Sequence, residues 1–334
     1  MRMPPEWAPH ERTWMAWPSR SYTLGDAPEQ ARATWAAVAG AIVAFEPVTM
    51  VVDPEAAADA ARHLDPRVDV VHAPLDDAWM RDIGPTFVLG DDGALRAVDW
   101  VFNGWGAQGW ASWDRDARIA RFVAAQAGVD VIGSPLVNEG GGIHVDGEGT
   151  VLVTETVQLD EHRNPGWDKP QVEGELARTL GAERVIWLPR GLTRDYDELG
   201  TRGHVDIVAT FSSPGTVLVH SQPDPAHPDH EVTRVLAEQL RGELDARGRR
   251  LTVIEVPAPS VTHDEHGPVD YSYINHAVVN GGVVLCGFGD EQADARAAAI
   301  VGAAYGRPVS LVDARPLFAR GGGIHCITQQ QPAA

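Results

Sequence analysis

Residues 139–154 read Glu-Gly-Gly-Gly-Ile-His-Val-Asp-Gly-Glu-Gly-Thr-Val-Leu-Val-Thr. The apolar run Ile143 to Val145, the turn Asp146-Gly147-Glu148-Gly149 and the run Thr150 to Thr154 predict a hairpin. A helix near Pro170 to Leu180 and a strand Arg184 to Leu188 follow, so the unit is strand, strand, helix, strand. Working outward, the same unit recurs. Upstream it is Pro85 to Leu89, a turn at Asp91-Asp92-Gly93, Ala94 to Trp100, a helix over Asp114 to Ala127 and a strand Val129 to Ile132. Ile119, Phe122 and Val123 give that helix its spacing, and Gly128 stops it. Downstream it is His204 to Phe211, Thr216 to His220, a helix over His230 to Arg247 and a strand Leu251 to Val256. A fourth unit takes Ser272 to Val279, the turn Asn280-Gly281-Gly282, Val283 to Cys286, a helix over Glu291 to Tyr305 and Pro308 to Val312.

A fifth unit starts at Ile324 to Thr328 and is completed by the N-terminal segment. That segment supplies a strand Thr13 to Trp17, a helix after the capping pattern Asp26-Ala-Pro-Glu29, and a strand Val48 to Val52. Trp35, Val38 and Ile42 fall on one face of the helix. The expected fold is therefore α/β, one domain over residues 1–334, with five units closed by the two chain ends. An internal echo supports the repeat: Glu139-Gly-Gly-Gly-Ile-His-Val145 and Arg320-Gly-Gly-Gly-Ile-His-Cys326 share Gly-Gly-Gly-Ile-His, each opening a first strand.

Charge limits the partners. Lys plus Arg total 27 against 47 Asp plus Glu, a net charge of −20. Such a field repels nucleic acid and suits a small cation. No apolar run is long enough for a membrane span, and the start lacks an apolar leader, so a cytoplasmic protein is expected. Two cysteines, Cys286 and Cys326, allow no disulfide framework. Lys169 is the only lysine and sits in a Pro-rich loop, which argues against Schiff-base chemistry. The pairs His227/His230 and His263/His266 lie in polar, Pro-containing stretches that read as solvated loops, so no metal and no cofactor is expected. Cys286 ends an apolar run and reads as core.

On the units, Asp82 and Glu139 precede first strands, His204 and Asp206 begin one, and Cys326 lies in another. Residues 204 and 206, two apart on a strand, share a face. If the first strands line an axis, a thiol, an imidazole and three carboxylates converge there. Each has a bland alternative: Cys326 as a small core residue, His204 as a satisfied structural histidine, Asp82 as the ion-pair partner of Arg81. Together, a nucleophile and its proton-transfer partner beside excess carboxylate suit chemistry on a guanidinium carbon, because a guanidinium offsets buried anions in bidentate fashion.

Further stretches carry a resemblance. They are Met3-Pro-Pro-Glu-Trp-Ala-Pro-His-Glu11, Trp14-Met-Ala-Trp-Pro18, Asp77-Ala-Trp-Met-Arg-Asp-Ile-Gly-Pro-Thr-Phe87, the 139–150 stretch, Ile186-Trp-Leu-Pro-Arg-Gly191, Gly203-His-Val-Asp206 and Gly321-Gly-Gly-Ile-His-Cys-Ile-Thr-Gln-Gln-Gln-Pro332. Nearly end to end, the chain resembles agmatine deiminases of the Porphyromonas-type peptidyl-arginine deiminase family, within the pentein superfamily of guanidino-group modifying enzymes. The resemblance implies a five-bladed α/β propeller and a homo-oligomer. It implies Cys326 as nucleophile, His204 as general acid/base, Asp82 and Asp206 as carboxylates on the guanidinium, Glu139 as a further acidic member and Trp79 beside the substrate. It implies hydrolysis of agmatine to N-carbamoylputrescine and ammonia without a cofactor.

The chain departs from that pattern at Arg194–Gly203, which is about two residues longer, and at Ile207, where Asn is usual. Asp197 and Glu198 could bind an ammonium at the far end of agmatine. Arg202 could instead pair a carboxylate, which would suit arginine or peptidyl-arginine. An amidinotransferase and a non-catalytic guanidinium-binding protein remain as further alternatives.

Overall fold

The computed structural model describes residues 1–20, 22–25 and 27–334. Among them, five sheets of three or four strands repeat one topology, alongside a two-stranded hairpin at His263–Pro268. In each, two strands pair antiparallel, and the second runs parallel to a third across a helical crossover. The first sheet is Thr86–Leu89, Leu95–Val101 and Asp130–Val137; the second is Ile143–Val145, Thr150–Thr154 and Arg184–Leu188. Ala209–Ser213, Thr216–Ser221 and Thr252–Pro257 form the third. The fourth is Ala277–Val279, Gly282–Gly287 and Val309–Asp313. A parallel pair requires such a crossover, and an amphipathic helix supplies both the span and the cover. These helices are Ile119–Ala127, Lys169–Leu180, Asp229–Gly242 and Glu291–Tyr305.

The fifth sheet joins the chain ends. Thr328–Pro332 pairs antiparallel with His10–Ala16, which runs parallel to Val48–Val52. The helix Pro28–Ile42 makes its crossover and fully buries Trp35, Val38 and Ile42. Each such side chain contributes about 1.5–3 kcal/mol of apolar burial. The Asp26 end of the predicted capping pattern lies outside the described residues. This sheet also gains a fourth strand, Asp69–His72, after the helix Ala57–His63. Neither was anticipated, because the strand is mostly exposed and carries no apolar alternation.

Burial grades across the sheets. First strands such as Ile143–Val145, Ala277–Val279 and Thr328–Pro332 are buried at every position. Third strands such as Asp130–Val137 and Val309–Asp313 are largely exposed or half-exposed. Segments leading into first strands therefore enter the interior, and these carry the chemically competent residues.

Several boundaries correct the sequence reading. His204–Phe211 is not one strand: Val205–Ile207 is a 3-10 turn, and the strand is Ala209–Ser213. Val205, Asp206 and Ile207 are all buried, so their alternation of polar and apolar types does not mark two faces. Cys326 likewise lies in a turn before the strand Thr328–Pro332, not within a strand. The fourth unit's first strand shortens to Ala277–Val279, and its neighbour's helix ends at Gly242, not Arg247. Lys169 is not in a loop; it is the first residue of its helix, behind a capping box made by Asp168 and Gln171. His227 is buried, not solvated: its ring packs edge-on toward His263 and its Nδ1 accepts the Asp229 N–H at 3.1 Å. Among the described residues, no helix is long and apolar enough to cross a membrane.

Candidate active site

Cys326, His204, Asp82, Asp206 and Glu139 are all buried in one place. Asp82 sits on the single turn Met80–Ile83. The Arg81 N–H donates to the Cys326 carbonyl at 3.0 Å, which locks that turn against the thiol-bearing turn. Arg81 does not pair with Asp82 as the alternative reading had it. Its guanidinium meets Glu6 at 3.4 Å and Gln330 Oε1 at 2.8 Å. Asp82 accepts instead from Trp105 Nε1 at 2.8 Å and from the Gly141 N–H at 3.2 Å. Trp105 holds a left-handed backbone (φ 56), a strain found where a side chain must be aimed.

His204 follows a loop organised by the buried Asp195. That carboxylate accepts from the Thr201 N–H at 2.7 Å, the Gly203 N–H at 2.6 Å and the His204 N–H at 3.2 Å. The imidazole Nε2 meets Glu139 Oε2 at 3.2 Å. Among the described residues its buried Nδ1 has no hydrogen-bond partner; it lies 3.9 Å from Asp82 Oδ1. Glu139 is braced by the fully buried Arg163, whose Nε reaches both carboxylate oxygens at 3.1 Å. Asp206 binds His325 Nδ1 through Oδ2 at 2.8 Å, while its buried Oδ1 has no partner among the described residues. Cys326 Sγ lies 3.5 Å from Asp206 Oδ2 and accepts from Asn275 Nδ2 at 3.2 Å.

Two glycines make this density possible. A methyl at Gly141 would come within 2.5 Å of His204 Nδ1, and one at Gly322 within 2.6 Å of the Trp79 ring and 3.1 Å of Cys326 Sγ. Trp79 walls the site, donating to Tyr22 at 2.8 Å and packing edge-on against Trp35. Together Tyr22, Trp79, Asp82, Trp105, Leu199 and Cys326 enclose a cavity of about 10 Å³, close to the volume one water occupies.

The electrostatics follow from burial and neighbours. Burial pushes Asp82 up to about 6, Glu139 and Asp206 add to this, and His204 opposes it. Burial opposes charge on His204, but Asp82, Glu139 and Asp206 outweigh it and raise the imidazole to about 9. Glu139 falls to about 2, since Arg163 and His204 overcome its burial. Burial, Asp206 and Asp82 hold the Cys326 thiol well above its ordinary value. Asp206 Oδ1, buried and without a hydrogen-bond partner among the described residues, is free to accept from a donor. A cation there would relieve the carboxylates and favour the thiolate at once.

The structure separates the remaining expected residues. Asp197 and Glu198 are exposed and do not reach the thiol; with Arg194, His266 and Asp270 they line a neighbouring cavity of about 350 Å³. Leu199 and Gly321 border both cavities. Arg202 lines neither and ion-pairs with Asp160 at 3.5 Å. Sequence reading missed Asn275, Trp105, Arg163, Tyr22, His325 and Glu6. Of these, Glu6 and His325 lie inside the quoted stretches; the others carry no local signal. Cys286 is core as expected, its thiol donating to the Asn275 carbonyl at 2.9 Å.

A mixed α/β protein with a buried thiol set among carboxylates and an imidazole is the class these features define. The chain belongs to the Porphyromonas-type peptidyl-arginine deiminase family, whose model matches residues 2–332. A Streptomyces coelicolor relative, provisionally assigned as an agmatine deiminase, is 64% identical over 335 residues, covering 99% of this chain and 98% of its own. The agmatine deiminase of Stutzerimonas stutzeri is 41% identical over 355 residues, covering 99% of this chain and 95% of its own. Among solved structures, the agmatine deiminase of Enterococcus faecalis superimposes with a TM-score of 0.93 at 35% identity, covering 99% of this chain and 95% of that one.

Proposed function

We propose that the protein hydrolyses agmatine to N-carbamoylputrescine and ammonia. The observation that carries this reading is the buried Asp206 Oδ1, without a partner among the described residues, on a carboxylate whose Oδ2 lies 3.5 Å from the Cys326 thiol. A buried anionic oxygen without a donor is costly, and a guanidinium supplies the missing donor and charge. Asp82 and Asp206 grip the guanidinium nitrogens. The bound cation lowers the Cys326 pKa, and the thiolate adds to the guanidinium carbon. Protonated His204 passes its proton to one nitrogen, and the C–N bond breaks to release ammonia. Glu139, anchored by Arg163, orients and charges that imidazole. The covalent amidino-thioether is then attacked by water, whose proton returns to His204. The C–S bond breaks, regenerating the thiol and leaving the ureido product. No metal or cofactor enters the scheme.

The far end of the substrate favours agmatine over arginine. Asp197 and Glu198 line the outer cavity and suit an ammonium, whereas Arg202 is engaged by Asp160 and offers little to a carboxylate. The five repeated sheets, with the chain ends paired in one of them, support a five-bladed α/β propeller forming one catalytic domain over residues 1–334. We take the partner to be this small cation, not nucleic acid or membrane, and the assembly to be a homo-oligomer. Two free cysteines fit a reducing, cytoplasmic setting. Steady-state kinetics on agmatine and arginine test the reading through ammonia and ureido product. Agmatine is expected to be preferred by at least tenfold in kcat/KM, with Cys326→Ala inactive. A preference for arginine, or an active Cys326→Ala, overturns it.

A further inference from the structure

We propose that His325 is a positioning residue: a buried imidazolium that holds Asp206 ionised, with one oxygen tied back and the other free for the substrate guanidinium. The proposal deepens the deiminase reading and rests on it.

Both ring nitrogens of His325 meet carboxylates: Nδ1 reaches Asp206 Oδ2 at 2.8 Å, and Nε2 reaches Glu6 Oε1 at 2.7 Å. A neutral imidazole donates from one nitrogen only, so two acceptor-only partners select the doubly protonated ring. The backbone fixes the ring's place. The His325 N–H donates to Asn275 Oδ1 at 3.0 Å, and its carbonyl accepts from Arg81 Nε at 3.4 Å. Cys326 is the next residue, so one turn sets both the nucleophile and the support of the substrate-binding carboxylate.

Every charged neighbour fits this account. Glu6 is braced by Arg81 at 3.4 Å and faces His144 Nε2 at 3.7 Å. His144 lies 6.4 Å from the His325 ring, between centroids, and bonds Thr210 at 2.7 Å. His276 is held neutral, because burial lowers it to about 4. Cys326 Sγ lies 3.5 Å from the same Asp206 Oδ2, and the His204 imidazole acts on Asp206 as a further positive charge. Burial and Arg81 oppose charge on His325, but Glu6 and Asp206 outweigh them and raise it. Two buried anions, Asp206 and Glu6, therefore share two cations, His325 and Arg81. Deleting the His325 charge leaves the pair of carboxylates short, and Asp206 then takes up a proton at a pH where the wild type is ionised. A protonated Asp206 cannot grip a cation.

His325→Asn retains a donor toward Asp206 while removing the charge and the reach to Glu6. Glu6→Gln retains the packing while weakening the imidazolium. With wild type measured in parallel, His325→Asn is expected to raise KM for agmatine about tenfold with a smaller change in kcat. It should also move the acid limb of kcat/KM upward by about one pH unit. Glu6→Gln should shift it the same way by less, and it carries the test if His325→Asn does not fold. In ¹⁵N-histidine spectra of wild type at pH 8, a doubly protonated ring should appear in addition to that of His204, which is charged up to about 9, and this additional ring should be missing in His325→Asn. Folded variants with the wild-type KM and acid limb, or a neutral His325 at pH 8, overturn the proposal. Wild type that releases no ammonia from agmatine would instead sink the deiminase reading, while the spectra still decide the state of His325.

Discussion

Asp82 and His204 stand 3.9 Å apart, and both pKa values are raised, to about 6 and about 9. In the proposed mechanism binding the cation needs Asp82 ionised, so activity is expected to fade as pH falls through about 6. In the same mechanism proton donation to the leaving nitrogen needs His204 charged, so activity is expected to fade as pH rises through about 9. A bell-shaped kcat/KM between those limits is expected for agmatine; a flat profile from pH 5 to 10 would contradict the assignment. Gly141→Ala places a methyl 2.5 Å from His204 Nδ1. Displacing the imidazole by about 1 Å should lower kcat on the order of 100-fold with the fold retained, as kinetics beside circular dichroism will show. The five residues of this centre were legible because each adjoins a glycine or the mouth of a first strand. Asn275 was not, since Tyr273-Ile-Asn-His276 resembles any half-buried segment, and its contact with Cys326 spans 51 residues of sequence. Trp105 was hidden by a backbone turn no local pattern announces.

The loop from Arg194 to Gly203 works through one side chain. Asp195 gathers the Thr201, Gly203 and His204 N–H groups, while Gln108 and Arg163 hold the Gly200 and Thr201 carbonyls at 2.6 and 2.7 Å. Leu199 and Arg202 take left-handed backbones, φ 72 and 69, which the staple must enforce. Asp195→Ala strands the buried Thr201 and Gly203 N–H groups, each costing about 1–3 kcal/mol when unmet, leaves the His204 N–H only its 3.1 Å bond to Thr201 Oγ1, and releases the segment that aims His204. A fall in kcat/KM of about 100-fold or more is expected, together with faster amide exchange at residues 199–204. Unchanged exchange there would refute the staple. At this scale the crossover helices were read well, because 3.6-residue periodicity extends over several turns. The strand expected over 204–211 failed because a fully buried segment alternates residue types without alternating environments. The outer strand Asp69–His72 failed for the opposite reason, being too exposed to show a pattern.

Across the whole molecule, the repeat was visible in sequence as hairpin, helix and strand, and the sharing of one sheet by both ends followed from it. Trp14 Nε1 bonds Gln331 Oε1 at 2.9 Å within that sheet. Deleting residues 328–334 removes a strand buried at all positions and exposes the edge of His10–Ala16. The loss should exceed about 5 kcal/mol, on the scale of a domain's entire stability, so the truncated chain is expected to be insoluble or to melt below 37 °C. A soluble truncation with a Tm near wild type would refute this. The same pairing has a consequence for biosynthesis. Chains emerge N-terminus first, so His10–Ala16 waits with an open edge until nearly all the remaining sequence has been made. The thiol-bearing turn arrives with the strand that seals it. During elongation, the nascent protein carries an open strand edge while the Cys326 turn is still unmade, and the buried cluster assembles in the same step that pairs the edge.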